Sequence, residues 1–297
     1  MHSDNNYSNL SPACRMAVAA VILAGTALSA SATKIEKHFT VTGRPVVTVK
    51  NASGRVEVKS WSKQEVMVTA NQLGKNADVE TEQVGSRVEI VTHTLDESAR
   101  GADMQVDYQI FVPEETTLQV RTDSGNIVVE SVHGGLTFET IAADVNLKSV
   151  GGEIVVTTAD GSIVCSMCDG SSFKVETVRG SVQLLQPIMD TIKVHTTAGS
   201  ILFDGDFLRH GVYSLRSDTG NTEVRFGVAS SFDLTARSEH GSVYSQVNIQ
   251  RDKHNSRSKL SIPKGGQALA GTFGSGNAKV ELSSFSGTIK ILQRDAQ

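Results

Sequence analysis

A four-residue motif, Ser/Thr-x-x-Gly, recurs through the second half of the chain. The copies TDSG at 122, SVHG at 131, SVGG at 149, TADG at 158, TVRG at 177, TTAG at 196, SDTG at 217 and SEHG at 238 start 9 to 21 residues apart. Most are followed by a short apolar alternation, as in GNIVVES, GSIVCSM and GSILFDG. Period-two alternation is typical of a half-buried strand, and Gly with Ser, Thr, Asp or Asn suits a tight turn. The motif therefore predicts strands of about five residues joined by turns of about four.

The near-constant spacing, with a half-period of nine and a full period near nineteen residues, favours a solenoid. In such a fold each coil lays a strand beside the equivalent strand of the preceding coil. A β-sandwich of many hairpins is the alternative, and the constant period argues against it. We predict an all-β, parallel β-solenoid (β-helix) of short strands with Gly-containing turns, preceded by a smaller β-rich capping region. Superposing the repeats gives one inward column: Ile127, Val129, Ile154, Val156, Ile163, Cys165, Val182, Leu184, Ile201 and Phe203. The predicted turn glycines are Gly54, Gly125, Gly134, Gly152, Gly161, Gly180, Gly199, Gly220, Gly241, Gly276 and Gly287.

Three segments are expected. Arg15, the apolar run 17–29 and the small-residue sequence Ala30-Ser31-Ala32 together are typical of a secretory signal over residues 1–32, cleaved after Ala32. Residues 33–121 are β-rich but less regular and are expected to cap the stack. Residues 122–297 carry the repeat, interrupted by a polar, basic loop at 251–259. Residues 33–297 are expected to form one continuous domain.

Composition narrows the function classes. The formal net charge is −4, so no basic excess indicates a nucleic-acid surface. The apolar run 17–29 is shorter than the about 20 residues of a typical transmembrane helix, and no second long apolar segment follows. We therefore expect an exported chain, periplasmic or at the cell surface, with no stable membrane span after signal cleavage.

Cys165 and Cys168 are the only cysteines after the predicted signal. An exported Cys-x-x-Cys can be a disulfide or a redox pair. The repeat places Cys165 in the column of Val129 and Val156, and Cys168 in that of Val132 and Val150. Buried Cys behaves as a small hydrophobe, so core thiols are favoured, with a local disulfide as the alternative.

Other candidate groups are few. Asp160 and Arg179 lie one repeat apart and are expected to form a surface ion pair, and Asp204-Gly205-Asp206 is expected to be a turn rather than a Ca²⁺ site. Trp61 is expected in the core or cap rather than as a sugar platform. The turn residues Asn126, Asn221 and Asn277 are expected in polar ladders that satisfy each other or bind a glycan. No histidine pair has metal-ligand spacing, and this holds for His38, His93, His133, His195, His210, His240 and His254.

The layout of these motifs resembles the "putative adhesin" family of bacterial exported β-strand-repeat domains. The resemblance rests on VKNASGRVEVKSW (Val49 to Trp61), on Ile110-Phe111-Val112-Pro113, on the Ser/Thr-x-x-Gly ladder and on the segment from Ser275 to Ile291. It covers most of residues 40–292. The resemblance implies a fold related to pectin-lyase-like parallel β-helices, and it implies no catalytic residue set and no cofactor.

These observations predict a non-enzymatic, exported solenoid with an adhesin-like binding or structural role at the cell envelope. Its partner would be an envelope or extracellular polymer or protein, bound through many weak contacts along a rigid face. A polysaccharide lyase or hydrolase of the β-helix type is one alternative, with only Asp160 and Arg179 to support it. A periplasmic envelope-stress accessory protein is the other, implied by the family resemblance. The oligomeric state is left open.

Overall fold

The computed structural model describes residues 33–96, 98–250 and 266–294, all within one compact unit. The predicted signal 1–32 and the loop 251–259 lie outside the described residues. Among these residues are twenty-one strands and one 3₁₀ turn at Gly101–Met104. The strands are β1 (Thr33–Thr40), β2 (Val46–Trp61), β3 (Glu65–Gln72), β4 (Ala77–Val84), β5 (Arg87–Thr94), β6 (Val106–Pro113), β7 (Thr117–Glu130), β8 (His133–Lys148), β9 (Gly151–Asp160), β10 (Ile163–Ser166), β11 (Asp169–Arg179), β12 (Val182–Leu185), β13 (Ile188–Thr196), β14 (Ile201–Asp204), β15 (Val212–Ser217), β16 (Thr222–Phe226), β17 (Phe232–Ser238), β18 (Val243–Ser245), β19 (Gln267–Phe273), β20 (Ala278–Ser284) and β21 (Ile289–Gln293).

The strands stack in register as a parallel solenoid, which confirms the predicted fold class. Each coil has two straight halves separated by a corner at the Ser/Thr-x-x-Gly motif. We call the sheet of first halves face A; its central order is β9, β11, β13 and β15. We call the sheet of second halves face B; its central order is β10, β12, β14 and β16. In β2, β7 and β8 a single long strand runs around the corner and contributes to both faces.

Each half-coil alternates because one side of its strand faces the other sheet. In β12, for example, Val182 and Leu184 are fully buried while Gln183 is exposed. The single inward column expected from the sequence is wrong in one respect. Cys165 lies beside Leu147 and Leu184 on face B, whereas Val156 lies beside Phe138 and Val175 on face A. Because half-coils follow one another about every nine residues, superposing the repeats merged two columns that lie on opposite faces.

The last coil of the chain does not lie at the end of the stack. On face A, β20 is inserted between β15 and β17 and is parallel to both. On face B, β21 lies between β16 and β18. The first coil is placed in the same way, since β2 lies between β7 and the coil formed by β5 and β6. At one end the outermost coil, β5 and β6, follows the inner strand β2 in sequence. At the other end the outermost coil, β17 and β18, precedes the inner strands β20 and β21.

Antiparallel strands cover three edges of this stack: β4 against β5, β1 and β3 outside β6, and β19 against β17. The region 33–121 thus contains these covering strands and also the regular coil of β2. That strand pairs with β7 from Val46 to Lys59. The division expected between residues 121 and 122 falls inside β7.

The interior toward the C-terminal end is filled with aromatic rings. Phe207, from the loop after β14, lies between the faces, with its ring centroid 5.0 Å from Phe203 and 4.8 Å from Tyr213. Phe226, Phe232 and Phe273 continue the cluster. The Tyr213 hydroxyl donates to the Met189 carbonyl and accepts from the Leu208 amide, so its polar end is satisfied. Burial raises the pKa of Tyr213.

Candidate binding surface

A buried hydroxyl ladder is formed by the first residue of the Ser/Thr-x-x-Gly motif in TADG, TVRG, TTAG and SDTG. Thr158, Thr177, Thr196 and Ser217 point inward at the corner and stack from rung to rung. Ser217 Oγ accepts from the Gly220 amide at 2.9 Å and donates to the Gly199 carbonyl of the preceding rung at 2.7 Å. The hydroxyl therefore closes its own turn and bonds it to the turn of the preceding rung. Ser238 makes the same two bonds, with the Gly241 amide and the Gly287 carbonyl, whereas the buried Thr177 hydroxyl has no hydrogen-bond partner among the described residues.

The glycine of the motif is required by the close approach of successive rungs. A Cβ on Gly199 would lie 1.8 Å from the Gly180 carbonyl oxygen, and one on Gly220 would lie 1.9 Å from that of Gly199. At these glycine positions the neighbouring rung leaves no room for a side chain. The members of the column are Gly54, Gly125, Ala143, Gly161, Gly180, Gly199, Gly220, Gly287 and Gly241, in stack order. Ala143 is the member that the motif search missed, because its turn reads TIAA.

Two predicted glycines belong to the opposite corner. Gly134 and Gly152 stack there with Gly170, which was not predicted. Beside them, four non-glycine residues adopt left-handed backbone conformations: Ser131, Ser149, Met167 and Gln186. SVHG and SVGG are therefore a different turn from TDSG, although the letters match. Gly276 lies outside both columns, next to the Asp233 side chain.

Cys165 and Cys168 are fully buried, and their sulfurs are bonded at 1.96 Å. Both occupy core positions, with Cys165 between Leu147 and Leu184 on face B. The structure thus combines the predicted burial with the disulfide that was the alternative. The bond spans the left-handed residue Met167 at the corner.

The predicted acid–base candidates are ion pairs. Arg179 contacts Asp160 across one rung at 3.2 Å, and both side chains are largely exposed. Asp204 and Asp206 are joined to Arg294 at 3.4 and 2.7 Å, and Asp206 also accepts from the Gly227 amide. Arg294 follows the inserted strand β21, so this network fastens the last coil to the loop after β14. The network lines a cleft of about 880 Å³ at the edge of face B.

The histidines do not converge. His38 bridges Glu65 and Glu36 on the surface of the cap, and His133 lies between Glu114 and Asp169, at 3.4 and 3.6 Å. His195 lies 3.6 Å from Asp218, His93 pairs with Glu80, and His240 packs on Phe285. His210 has a left-handed backbone, and His254 lies outside the described residues. Within the described ranges no group of three His, Cys, Asp or Glu side chains is placed to hold a metal ion.

Trp61 packs in the cap, as expected. Its Nε1 donates to the Glu65 carbonyl at 2.8 Å, its ring lies 5.4 Å from Phe111, and Lys63 lies over the ring. Asn126 accepts from Asn146 at 3.1 Å, and Asn221 accepts from the Thr288 amide at 2.9 Å. These two satisfy their neighbours in ladders. Asn277 does not join them, because it precedes β20 at the other end of the coil.

The outward side of face A carries charges. Ion pairs run along it at 2.7 to 3.9 Å: Lys50–Glu89, Arg121–Glu139, Lys174–Glu176, Arg216–Asp218 and Arg237–Glu239. These pairs are exposed and each contributes little stability. Face A is thus a solvated, charge-balanced surface.

The central part of face B differs. Its middle outward column is uncharged from rung to rung and alternates aliphatic and amide side chains: Val128, Asn146, Val164, Gln183 and Leu202. Beside it, at the corner, stand Ser162, Ser181 and Ser200. We call these eight residues the neutral ribbon. Charges reappear only at its borders, including Asp144 at the corner and the Lys148–Glu130 pair.

The fold defines the chain as a parallel β-solenoid protein with two sheet faces and a hydroxyl–glycine corner. More specifically, it belongs to the Toastrack DUF4097 family, whose model matches residues 46–292. This confirms the family resemblance predicted from the sequence. In the part of the chain that the structure describes, no helix is long and apolar enough to cross a membrane.

Solved structures with similar folds bear adhesion names. One is a "putative adhesin" from Bacteroides fragilis, with TM-score 0.44, 9% identity, and coverage of 87% of this chain and 96% of its own. Another, from Parabacteroides distasonis, has TM-score 0.38, 11% identity, and coverage of 89% and 98%. A "putative cell adhesion protein" from Clostridium sporogenes has TM-score 0.27, 9% identity, and coverage of 88% and 100%. No curated protein sequence matches the chain significantly.

Proposed function

We propose that this protein is an exported, non-enzymatic binding module of the bacterial cell envelope. The observation that carries the proposal is the in-register stacking of the coils, which repeats equivalent outward positions at intervals of about 4.8 Å along one straight face. A surface of this kind suits an extended ligand held by many weak contacts. The names of the similar structures agree with such a role.

The buried hydroxyl and glycine ladders support a rigid scaffold. The corners at Ser217 and Ser238 are fixed by hydrogen bonds within and between rungs, and strand pairing joins all the coils, so outward side chains keep their spacing without a ligand. A pre-organised surface loses little conformational entropy on binding. Rigidity of this sort is what a multi-contact binding face requires.

The catalytic alternative would need an acid and a base free to act on a substrate. Asp160 is paired with Arg179, and Asp204 and Asp206 are paired with Arg294. These carboxylates already stabilise the stack, so their contacts favour a structural role. We therefore place the lyase or hydrolase function behind the binding function.

The test has two stages. Sequencing the N-terminus of the chain recovered from cells should give Thr33, because Ala32 precedes the predicted cleavage. A chain that remains in the cytoplasm and retains residues 1–32 would contradict the proposal. Protease shaving of intact cells, with a periplasmic protein as the intact control, then separates the two locations. Cleavage from outside places the module at the surface, and survival until the outer barrier is opened places it among periplasmic partners.

A further inference from the structure

The neutral ribbon occupies five consecutive rungs of face B. Its residues lie in strict register, with Val164 between Asn146 and Gln183, and Gln183 between Val164 and Leu202. Five rungs span about 19 Å, and the two outward columns are about 7 Å apart. The surface is thus long, flat and narrow.

The ribbon contains no ionisable side chain, although 20% of the whole chain is charged. Two charged pairs of face A, Arg121–Glu139 and Lys174–Glu176, lie on coils that also contribute to the ribbon. A charged ligand would find no counter-charge on the ribbon and would lose solvation on contact. The surface therefore favours an uncharged ligand.

The ribbon offers hydrogen-bonding groups next to aliphatic ones. In the described part of the chain the side chains of Gln183 and Ser200 have no hydrogen-bond partner, while Ser181 donates to Ser162 at 3.4 Å. Val164 and Leu202 lie half-buried between these polar groups. Aliphatic and amide residues alternate, so the pattern repeats every two rungs, or about 9.6 Å. Sugars present the same combination of C–H faces and hydroxyl edges.

The size of the ribbon argues against a folded partner. A footprint of roughly 19 by 7 Å is far below the approximately 800 Å² that each partner buries in a standard protein interface. A second copy of this chain would need much more of face B, including its charged borders. A narrow extended chain can fill the ribbon completely.

From these observations we infer that the neutral ribbon binds an uncharged polysaccharide, with the glycan chain lying along the solenoid axis. This inference rests on the proposed binding function and specifies its ligand class and its site. Contacts from successive sugars to Asn146, Gln183 and the corner serines would add up along the rungs.

The test uses the full exported chain in affinity electrophoresis against soluble neutral glycans (mannan, xyloglucan, dextran and a β-glucan) and acidic polygalacturonate. Val164→Lys places a charge in the ribbon. Val155→Lys is the matched control, because Val155 is a half-buried outward residue of the same coil on face A. Gln183→Glu and its face A counterpart Gln119→Glu repeat the comparison with isosteric changes.

We expect at least one neutral glycan to retard the chain, with a tenfold or greater loss for Val164→Lys and Gln183→Glu and less than twofold for the controls. Retardation by polygalacturonate alone, equal losses on both faces, or no retardation by any neutral glycan would overturn the inference. A concentration-dependent dimer that Val164→Lys abolishes and Val155→Lys does not would also overturn it, in favour of a second copy. The N-terminal sequencing and shaving experiments are independent of these outcomes, so failure of the ligand class is distinguishable from failure of the proposed function.

Discussion

The glycine column gives the sharpest stability prediction, at Gly199. Replacing it with Ala places a Cβ 1.8 Å from the Gly180 carbonyl oxygen and 2.6 Å from its carbon. Both are backbone atoms held in the inter-rung ladder, so they cannot rotate away. Gly199 has no left-handed φ, and the cost of the substitution is therefore steric alone.

The magnitude follows from what must move. Relief of the overlap requires the rungs to separate by about 1 Å or more, which adds about 1–3 kcal/mol of packing strain. It also weakens the bond from Thr196 Oγ1 to the Gly180 carbonyl and the neighbouring inter-rung bonds, each contributing about 1 kcal/mol. We expect a loss of about 4 kcal/mol, or roughly 10 °C in Tm for a domain of this size.

Urea and thermal unfolding followed by circular dichroism would measure the loss. Gly135→Ala is the matched control, since its Cβ would meet only Thr117 Cγ2 at an ordinary 3.7 Å without a left-handed φ. Gly85→Ala isolates the cost of a left-handed φ in open space, about 1–2 kcal/mol. If Gly199→Ala costs no more than Gly135→Ala, the stacking account of the motif is wrong.

The remaining predictions concern the hydroxyl ladder, the disulfide and the cap. Ser217→Ala should cost about 2–4 kcal/mol in urea unfolding because two buried backbone groups lose a partner, whereas Ser217→Thr should cost less than about 1 kcal/mol; equal effects would contradict the ladder. The double variant Cys165→Leu with Cys168→Val copies the side chains of the neighbouring rung and should fold. It should lose about 2 kcal/mol of unfolding free energy, the chain-entropy value for a four-residue loop. Unchanged stability under oxidising conditions would refute this. Glu65 first, and then Glu36, raise the pKa of His38 above its ordinary 6.5. The charged histidine therefore supports the pairing of β1 with β3 below about pH 6.5, and that support is lost as pH rises through the raised value. Relative to the intrinsic base-catalysed rate, the hydrogen-exchange protection of β1 amides should fall across that range in the native chain and stay level in Glu65→Gln.

The coils could be predicted from the sequence because the residues of the motif are those that each corner requires. At most copies of this corner a glycine meets a backbone oxygen of the neighbouring rung, and a Ser or Thr stands three residues before it. The rung of β8 was less visible because Ala143 takes the glycine position. The two corners were merged because Gly134 and Gly152 follow the same letters in a different turn. That error also placed Val156 in the column of Cys165.

The order of the coils could not be predicted. A regular solenoid stacks successive coils as neighbours. Nothing local in VKNASGRVEV or VELSSFSGTIKI shows that these segments lie inside the outermost coil rather than at the end of the stack. The decision depends on partners distant in sequence, such as Gly287 against Gly220 and Arg294 against Asp206. The neutral ribbon was hidden for a related reason, because it exists only once outward residues are assigned to the correct face.

The description of the ladders and of both faces depends on one claim, that the last coil, β20 and β21, lies inside the stack rather than at its end. Ser214 and Glu281 are outward neighbours on β15 and β20, and Glu281 separates Ser214 from Thr235 on β17. Neighbouring rungs lie about 4.8 Å apart and second neighbours about 9.6 Å apart, and a disulfide joins Cα atoms about 4.4–6.8 Å apart. The decisive measurement is mild oxidation of two double-cysteine variants, with the bonds mapped by mass spectrometry. Ser214→Cys with Glu281→Cys should form the bond and Ser214→Cys with Thr235→Cys should not, whereas the reverse result would show that β17 stacks directly on β15 and would contradict the fold described above.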